Sequence, residues 1–278
     1  MFSTEKLIKM ALEEDLGSGD VTTLSTVPPG TTARALIKTK QECVAAGIQV
    51  LGLVFRTLDP SLKIEARVAD GDRLEIGVPL MVVTGNVISI LMAERVALNF
   101  VQRLCGIATL TSRFVAEIED YKAEIVDTRK TTPGWRSLEK YAVQVGGARN
   151  HRHGLFDGIL IKDNHIRAAG SIRDAIDHAI RLAPHGLKIE VEAADLDEVK
   201  MAARFGADII LLDNMDEDLL QKSVNFVRDG FPAIKLEASG GIVLENVAKV
   251  AACDVDFISV GALTHSAPAI DISLDLVS

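Results

Sequence analysis

The sequence predicts an α/β protein in which a small N-terminal α+β domain precedes an open α/β barrel with about six parallel strands. Three observations predict this class. Of 278 residues 48% are hydrophobic but only 4% are aromatic, so Ala, Val, Ile and Leu must build the core, which suits helices packed on strands better than an aromatic-rich sandwich. Beyond residue 120, short β-branched runs alternate with amphipathic helical stretches. Polar residues collect directly after each of these runs.

Taken in order, the chain opens with an amphipathic helix carrying Leu7, Ile8, Ala11 and Leu12 on one face. Strand-like pieces follow at 33–40, 63–68 and 80–85, with turn residues at Pro28-Pro29-Gly30 and Asp70-Gly71-Asp72. A long helix over about 90–104 is expected to lead out of this domain. The repeating part places strands at 123–126, 158–161, 187–191, 208–212, 234–236 and 257–260, with helices at 172–182, 196–205, 219–227 and 244–252 between them. Right-handed crossovers between such units make the strands parallel. The domain limits read as 1–110 and 111–267, with the tail 268–278 free to rejoin the first domain. A doubly wound open sheet is the runner-up, but it would gather ligand groups at one switch point and spread them less evenly.

Composition excludes several functions. A net charge of −9 repels polyanions and argues against nucleic acid as a partner. No apolar stretch approaches the roughly 18 residues that span a membrane, and the charges of Met1-Phe2-Ser3-Thr4-Glu5-Lys6 fall where a signal peptide needs its apolar run, so a cytoplasmic location is expected. Cys43, Cys105 and Cys253 are odd in number and lack metal-ligand spacing, which fits small core residues. No Walker loop, no Gly-x-Gly-x-x-Gly opening a helix and no paired-histidine metal helix is present. His178 and His185 read as structural or surface histidines, and so does His265, although it lies close to a candidate phosphate loop.

The chemistry gathers at the strand ends. They carry Asp127-Thr128-Arg129-Lys130, Lys162-Asp163-Asn164-His165, Glu192, Asp213-Asn214, Ser239-Gly240-Gly241 and Gly261-Ala262, and in a βα barrel these ends all open onto one face. From Arg129 to Arg152 the chain holds Arg129, Lys130, Arg136, Lys140, Arg149, His151 and Arg152 against one acid, Glu139. A solvated basic helix would be the bland reading, but the flanking Thr131-Thr132-Pro133-Gly134 and Gly146-Gly147 are loop chemistry, which favours a pocket for carboxylates or phosphates. Ser239-Gly240-Gly241 before a helix, with Ser259-Val260-Gly261-Ala262 one unit later, suits a phosphate, since barrels often bind one with their last two βα loops. Glu192 and Asp213 are as well explained by neighbouring lysines as by function. Beside a phosphorylated sugar they would bond ribose hydroxyls and share a magnesium ion.

With these residues assembled, the chain resembles the quinolinate phosphoribosyltransferase family. The likeness is carried by Asp127-Thr-Arg-Lys-Thr-Thr-Pro-Gly134, Glu139-Lys-Tyr-Ala-Val143, Gly146-Gly-Ala-Arg-Asn-His-Arg-His-Gly-Leu155 and Ile161-Lys-Asp-Asn-His-Ile166. Upstream it includes Glu14 to Thr23, Ala93-Glu94-Arg95 and Gly106-Ile-Ala-Thr109; downstream, Glu190-Val-Glu192, Leu212-Asp-Asn-Met215, Glu237-Ala-Ser-Gly-Gly241 and Gly261-Ala-Leu-Thr-His265. The resemblance implies a type II phosphoribosyltransferase that joins quinolinate to phosphoribosyl pyrophosphate, with magnesium, and works as a homodimer sharing its active sites. It further implies that Arg129, His151, Arg152 and Lys162 surround quinolinate, that Arg95 comes from the other subunit, and that Lys130, Glu192, Asp213, Ser239, Gly240, Gly241 and Gly261 hold phosphoribosyl pyrophosphate with Mg2+. Cys105, Trp135 and Ala148 depart from the family pattern, and none is a charged ligand. Two rivals are a paralogue found with molybdate-transport genes, disfavoured by the intact Asn150-His-Arg152 and Lys162-Asp-Asn-His165, and a non-enzymatic anion-binding barrel, which would not require Glu192 and Asp213.

Overall fold

The computed structural model describes residues 3–277. The elements run α1 Thr4–Leu16, α2 Val21–Thr26, β1 Thr32–Thr39, β2 Cys43–Val44, α3 Ile48–Leu58, β3 Lys63–Ala66, β4 Arg73–Leu74, β5 Pro79–Asn86 and α4 Val87–Glu117. They continue with β6 Glu124–Val126, α5 Arg136–Val145, β7 Ile159–Ile161, α6 Asp163–Ala169, α7 Ile172–Leu182, β8 Ile189–Ala193, α8 Leu196–Phe205 and β9 Ile209–Asp213. The last are α9 Glu217–Gly230, β10 Lys235–Ser239, α10 Leu244–Ala252, β11 Phe257–Ser259, α11 Ala262–His265 and β12 Ile272–Val277. No helix among the described residues is long and apolar enough to cross a membrane.

The chain divides into two compact units. The first holds the residues up to Ser112, Thr131–Gly147 and those from Ser266 onward, so 131–147 lies with it and apart from the 111–267 span expected of the barrel. Its main sheet has the order β12-β1-β5-β3, with antiparallel neighbours throughout. The C-terminal strand thus pairs with β1, from Arg34 opposite Val277 to Thr39 opposite Ile272. Helix α4 passes close to the returning tail: a Cβ on Gly106 would lie 2.0 Å from the Pro268 carbonyl oxygen, so only glycine fits there. Around α5, the carboxylate of Glu139 is buried and receives Arg103 Nη2 at 3.0 Å, the Thr132 backbone N–H at 3.0 Å and the Thr132 hydroxyl at 2.8 Å. The indole of Trp135 stacks on Phe100 with ring centroids 4.5 Å apart.

The second unit is a six-stranded parallel sheet in the order β6-β11-β10-β9-β8-β7, the open α/β arrangement expected from the sequence. Its helices start where the sequence supplies an acceptor: Ser171 bonds the Asp174 N–H, Asp195 the N–H groups of Asp197 and Glu198, and Asp216 that of Leu219. The core is aliphatic, with Val191, Ile210, Leu236 and Ile258 fully out of solvent. Two acids seal the sheet at the start of its strands. Asp208 accepts the Ile189 N–H, and Asp256 accepts the Leu236 N–H while pairing with Arg228 and Lys235. Because β6 and β7 do not pair, the opening between them is available to the segment after α5, and Arg149 bridges to the free edge of β6 at Val126.

Candidate active site

That bridge decides where the basic residues go. The Arg149 N–H donates to the Ile125 carbonyl at 2.9 Å and its carbonyl accepts from Asp127 N–H at 3.2 Å, so the chain enters the barrel mouth in strand-like register. Asp127, fully buried at the end of β6, accepts both the Asn150 side-chain amide and the His151 backbone N–H at 2.8 Å. The Arg152 guanidinium donates to the Gly158 carbonyl at 3.0 Å. One carboxylate and one edge strand thereby orient Asn150, His151 and Arg152 toward the strand ends.

The result is a cavity of about 440 Å3 at the C-terminal ends of the strands. Its walls bring together Thr128, Arg129, Lys130, His151, Arg152, Lys162, Asp213, Ser239, Gly240 and Gly241, with Leu160 and Leu211 as apolar surface. Arg129 and Arg152 are close enough to repel: burial, and then the neighbouring Arg129 charge, hold the Arg152 guanidinium below its ordinary pKa. Two guanidinium groups kept together against that repulsion form a site that an anion stabilises. The opposite wall is glycine-rich. Gly240 has φ +94°, and a Cβ there would sit 2.2 Å from Asn214 Oδ1, so no other residue fits between the ends of β9 and β10. Asn214, itself at φ 53°, donates from its backbone N–H to the Ser239 carbonyl at 2.9 Å and from its side chain to Asp213 at 2.8 Å.

Glu192, the penultimate residue of β8, binds Lys162 Nζ at 2.5 Å, so it adjoins the cavity through that lysine. Gly261 lies against the side chains of Lys130 and His265, and the Thr264 hydroxyl donates to the Lys130 carbonyl at 2.8 Å. Ala262 opens α11. Arg95 is an exposed residue of α4, in the other compact unit. The basic run is not one pocket. Arg136 and Lys140 belong to α5 in the first unit, where Arg136 bonds Thr131 and Lys140 is buried, and Arg149 points to the opposite end of the strands and pairs with Glu124. Sequence position alone could not separate side chains that alternate in direction around the edge of β6. Glu190 and Glu237, to which the sequence assigns no role, both approach His151. Their signal was alternation: Glu190 with Glu192 on β8, and Glu237 with Ser239 on β10, place charge on the inward face of buried strands.

A parallel α/β barrel with clustered cations, a glycine-rich loop and strand-end carboxylates in one mouth defines an enzyme acting on a small, multiply anionic substrate. Models of the quinolinate phosphoribosyl transferase N-terminal and C-terminal domains match residues 20–105 and 107–275. The chain belongs to the quinolinate phosphoribosyltransferase family. It is 44% identical to a nicotinate-nucleotide pyrophosphorylase (carboxylating) of Mycobacterium leprae, covering 97% of this chain and 95% of that one. It is 42% identical to a probable nicotinate-nucleotide pyrophosphorylase (carboxylating) of Synechocystis, over 96% of this chain and 90% of the relative. The solved nicotinate-nucleotide pyrophosphorylase of Ehrlichia chaffeensis superposes with a TM-score of 0.94 at 39% identity, covering 99% of each chain.

Proposed function

We propose that the chain transfers the phosphoribosyl group of phosphoribosyl pyrophosphate to the ring nitrogen of quinolinate, releasing pyrophosphate and carbon dioxide and leaving nicotinate mononucleotide, a step of de novo NAD synthesis. The observation that carries this reading is the single 440 Å3 cavity in which Arg129, Arg152, Lys162 and His151 face Asp213 and the Ser239-Gly240-Gly241 loop. A pyridine dicarboxylate fits the first set, because guanidinium forks pair bidentately with carboxylates. A sugar phosphate fits the second, because backbone N–H groups and a helix N-terminus favour phosphate.

The chemistry asks little covalent work of the protein. The C1′–O bond to pyrophosphate breaks as the pyridine nitrogen closes on C1′, through a ribosyl cation-like transition state, so alignment and stabilisation of the leaving charge dominate. Lys130, which lies against Gly261, would take the second task. The ring nitrogen is then quaternary, and the C2–carboxylate bond breaks with its electron pair left on C2 beside that positive charge; a proton completes the ring. Glu192 and Asp213 offer only hard oxygen donors at the ends of β8 and β9, the ligand type magnesium prefers, and they would hold it through water or substrate oxygens since Glu192 already binds Lys162. Bound there, Mg2+ would neutralise pyrophosphate charge. The working form is a cytoplasmic homodimer in which Arg95 of the partner subunit completes each quinolinate site, which makes assembly a condition of activity.

Purified protein mixed with quinolinate, phosphoribosyl pyrophosphate and Mg2+ is expected to yield nicotinate mononucleotide and carbon dioxide in equal amounts. Nicotinic acid, lacking the second carboxylate, is expected to be a poor substitute. Equal turnover of the two acids, or no nucleotide from either, contradicts the proposal.

A further inference from the structure

Beneath the cup, against His151, lie two buried acids that the transfer chemistry leaves without a task. His151 Nε2 is 3.0 Å from Glu190 Oε2 and 3.5 Å from Glu237 Oε2, while both carboxylates are nearly closed to solvent, at 4% and 3% exposure. The other nitrogen of the ring, Nδ1, accepts the Arg152 backbone N–H at 2.7 Å. With Nδ1 turned to the Arg152 N–H, Nε2 is the ring nitrogen that faces the two acids. One ring nitrogen cannot satisfy four carboxylate oxygens. Glu190 Oε1 and Glu237 Oε1 are each buried without a hydrogen-bond partner, and two carboxylates sharing so small and dry a space do not both ionise.

We propose that Glu237 is a positioning residue of the quinolinate pocket, which together with Glu190 fixes the ring of His151 from below and, as the uncharged member of the pair, keeps a second negative charge out of the floor on which a dianion must rest. The inference rests on the reading of the cup as the quinolinate site. Burial, reinforced by the Glu190 charge, pushes the Glu237 carboxyl up to about 8. The charges that act on it are Glu190 from β8, His151 from the segment after α5 and Lys162 from the end of β7; Arg129, Lys130, Arg152 and Asp213 line the cavity above it, and Arg149, Asp157 and Lys188 the one below. A second cavity of about 330 Å3 opens at the other end of the strands, and His151, Arg152 and Glu237 line both. The triad is therefore a partition: substrate meets it from above, and the lower cavity gives Glu237 a separate route to exchange its proton with solvent.

The test compares pH profiles of kcat/KM for quinolinate in the wild type and Glu237→Gln, the variant that imitates a protonated carboxyl. The wild type is expected to lose activity above pH about 8 as Glu237 ionises. Glu237→Gln is expected to stay within about threefold of the wild type at pH 7 and to keep that activity through pH 9. Loss of 100-fold or more at pH 7, or an alkaline fall identical to that of the wild type, overturns the role of Glu237. Thermal unfolding supplies a readout independent of catalysis. A carboxyl whose pKa is raised on folding contributes stability at low pH that is lost as pH rises through the folded value, so Glu237→Gln should gain in Tm relative to the wild type between pH 6 and 9. A constant Tm difference also overturns the proposal. Titration of wild-type protein with quinolinate at pH 7 separates the two readings: no binding defeats the cup itself, whereas binding with an unchanged alkaline limb in the variant defeats only the role of Glu237.

Discussion

Replacing Arg129 or Arg152 with alanine is expected to lower kcat/KM for quinolinate by about 30-fold or more, on the order of 2 kcal/mol of transition-state stabilisation. The two guanidinium groups share one cavity and already repel each other, so each removes a positive charge from a site whose proposed ligand carries two negative ones. The effects should differ in kind. Arg152 also holds the Gly158 carbonyl at 3.0 Å, and its loss loosens the entry to β7 as well as the clamp. Lysine at either position should restore only part of the activity, because an ammonium restores charge but not the planar fork. Steady-state kinetics with quinolinate as the varied substrate measures both, and near-normal kcat/KM in both alanine variants defeats the clamp.

The second large effect concerns stability. Glu139→Ala is expected to lower the free energy of unfolding by about 3 kcal/mol, since removing one partner of a buried pair strands the other. Glu139 is the fully buried acceptor for Arg103, the Thr132 N–H and the Thr132 hydroxyl. The Arg103 side chain remains 25% exposed and keeps its bond to the Ala267 carbonyl, which places the cost near the lower end for such pairs. Glu139→Gln should recover part of it by still accepting hydrogen bonds. Urea unfolding checks this through a lower midpoint with an unchanged slope; a change under about 1 kcal/mol would show that the acid is dispensable.

What the sequence made legible follows from how local each signal is. Helices α7, α8 and α10 coincide with the expected limits because amphipathic period marks all three and, for α7 and α8, the caps Ser171, Asp195 and Gly206 lie within a few residues of the ends. The barrel strands were found to within two or three residues, since buried parallel strands are plain β-branched runs. Helix α3 was missed because Ile48–Leu58 is apolar nearly all round and follows Gly47 with no side-chain cap. Helix α4 runs 13 residues past the expected Leu104, through a glycine that propensity counts against a helix and that the Pro268 backbone requires. Strand β12 depends on pairing with β1 across most of the chain, which no local window reports. In the site, residues at strand ends were legible from topology alone. The division of the basic run between two compact units, and the acids under His151, depended on side-chain direction and burial.

A crystal structure of the protein with quinolinate decides whether one cup of cations at the strand ends receives the doubly negative ring. The expected result is the ring inside the 440 Å3 cavity, its carboxylates against Arg129 and Arg152 with Lys162 close by. Quinolinate bound elsewhere, with those three side chains turned into separate regions of solvent, would show that the cup is not its site.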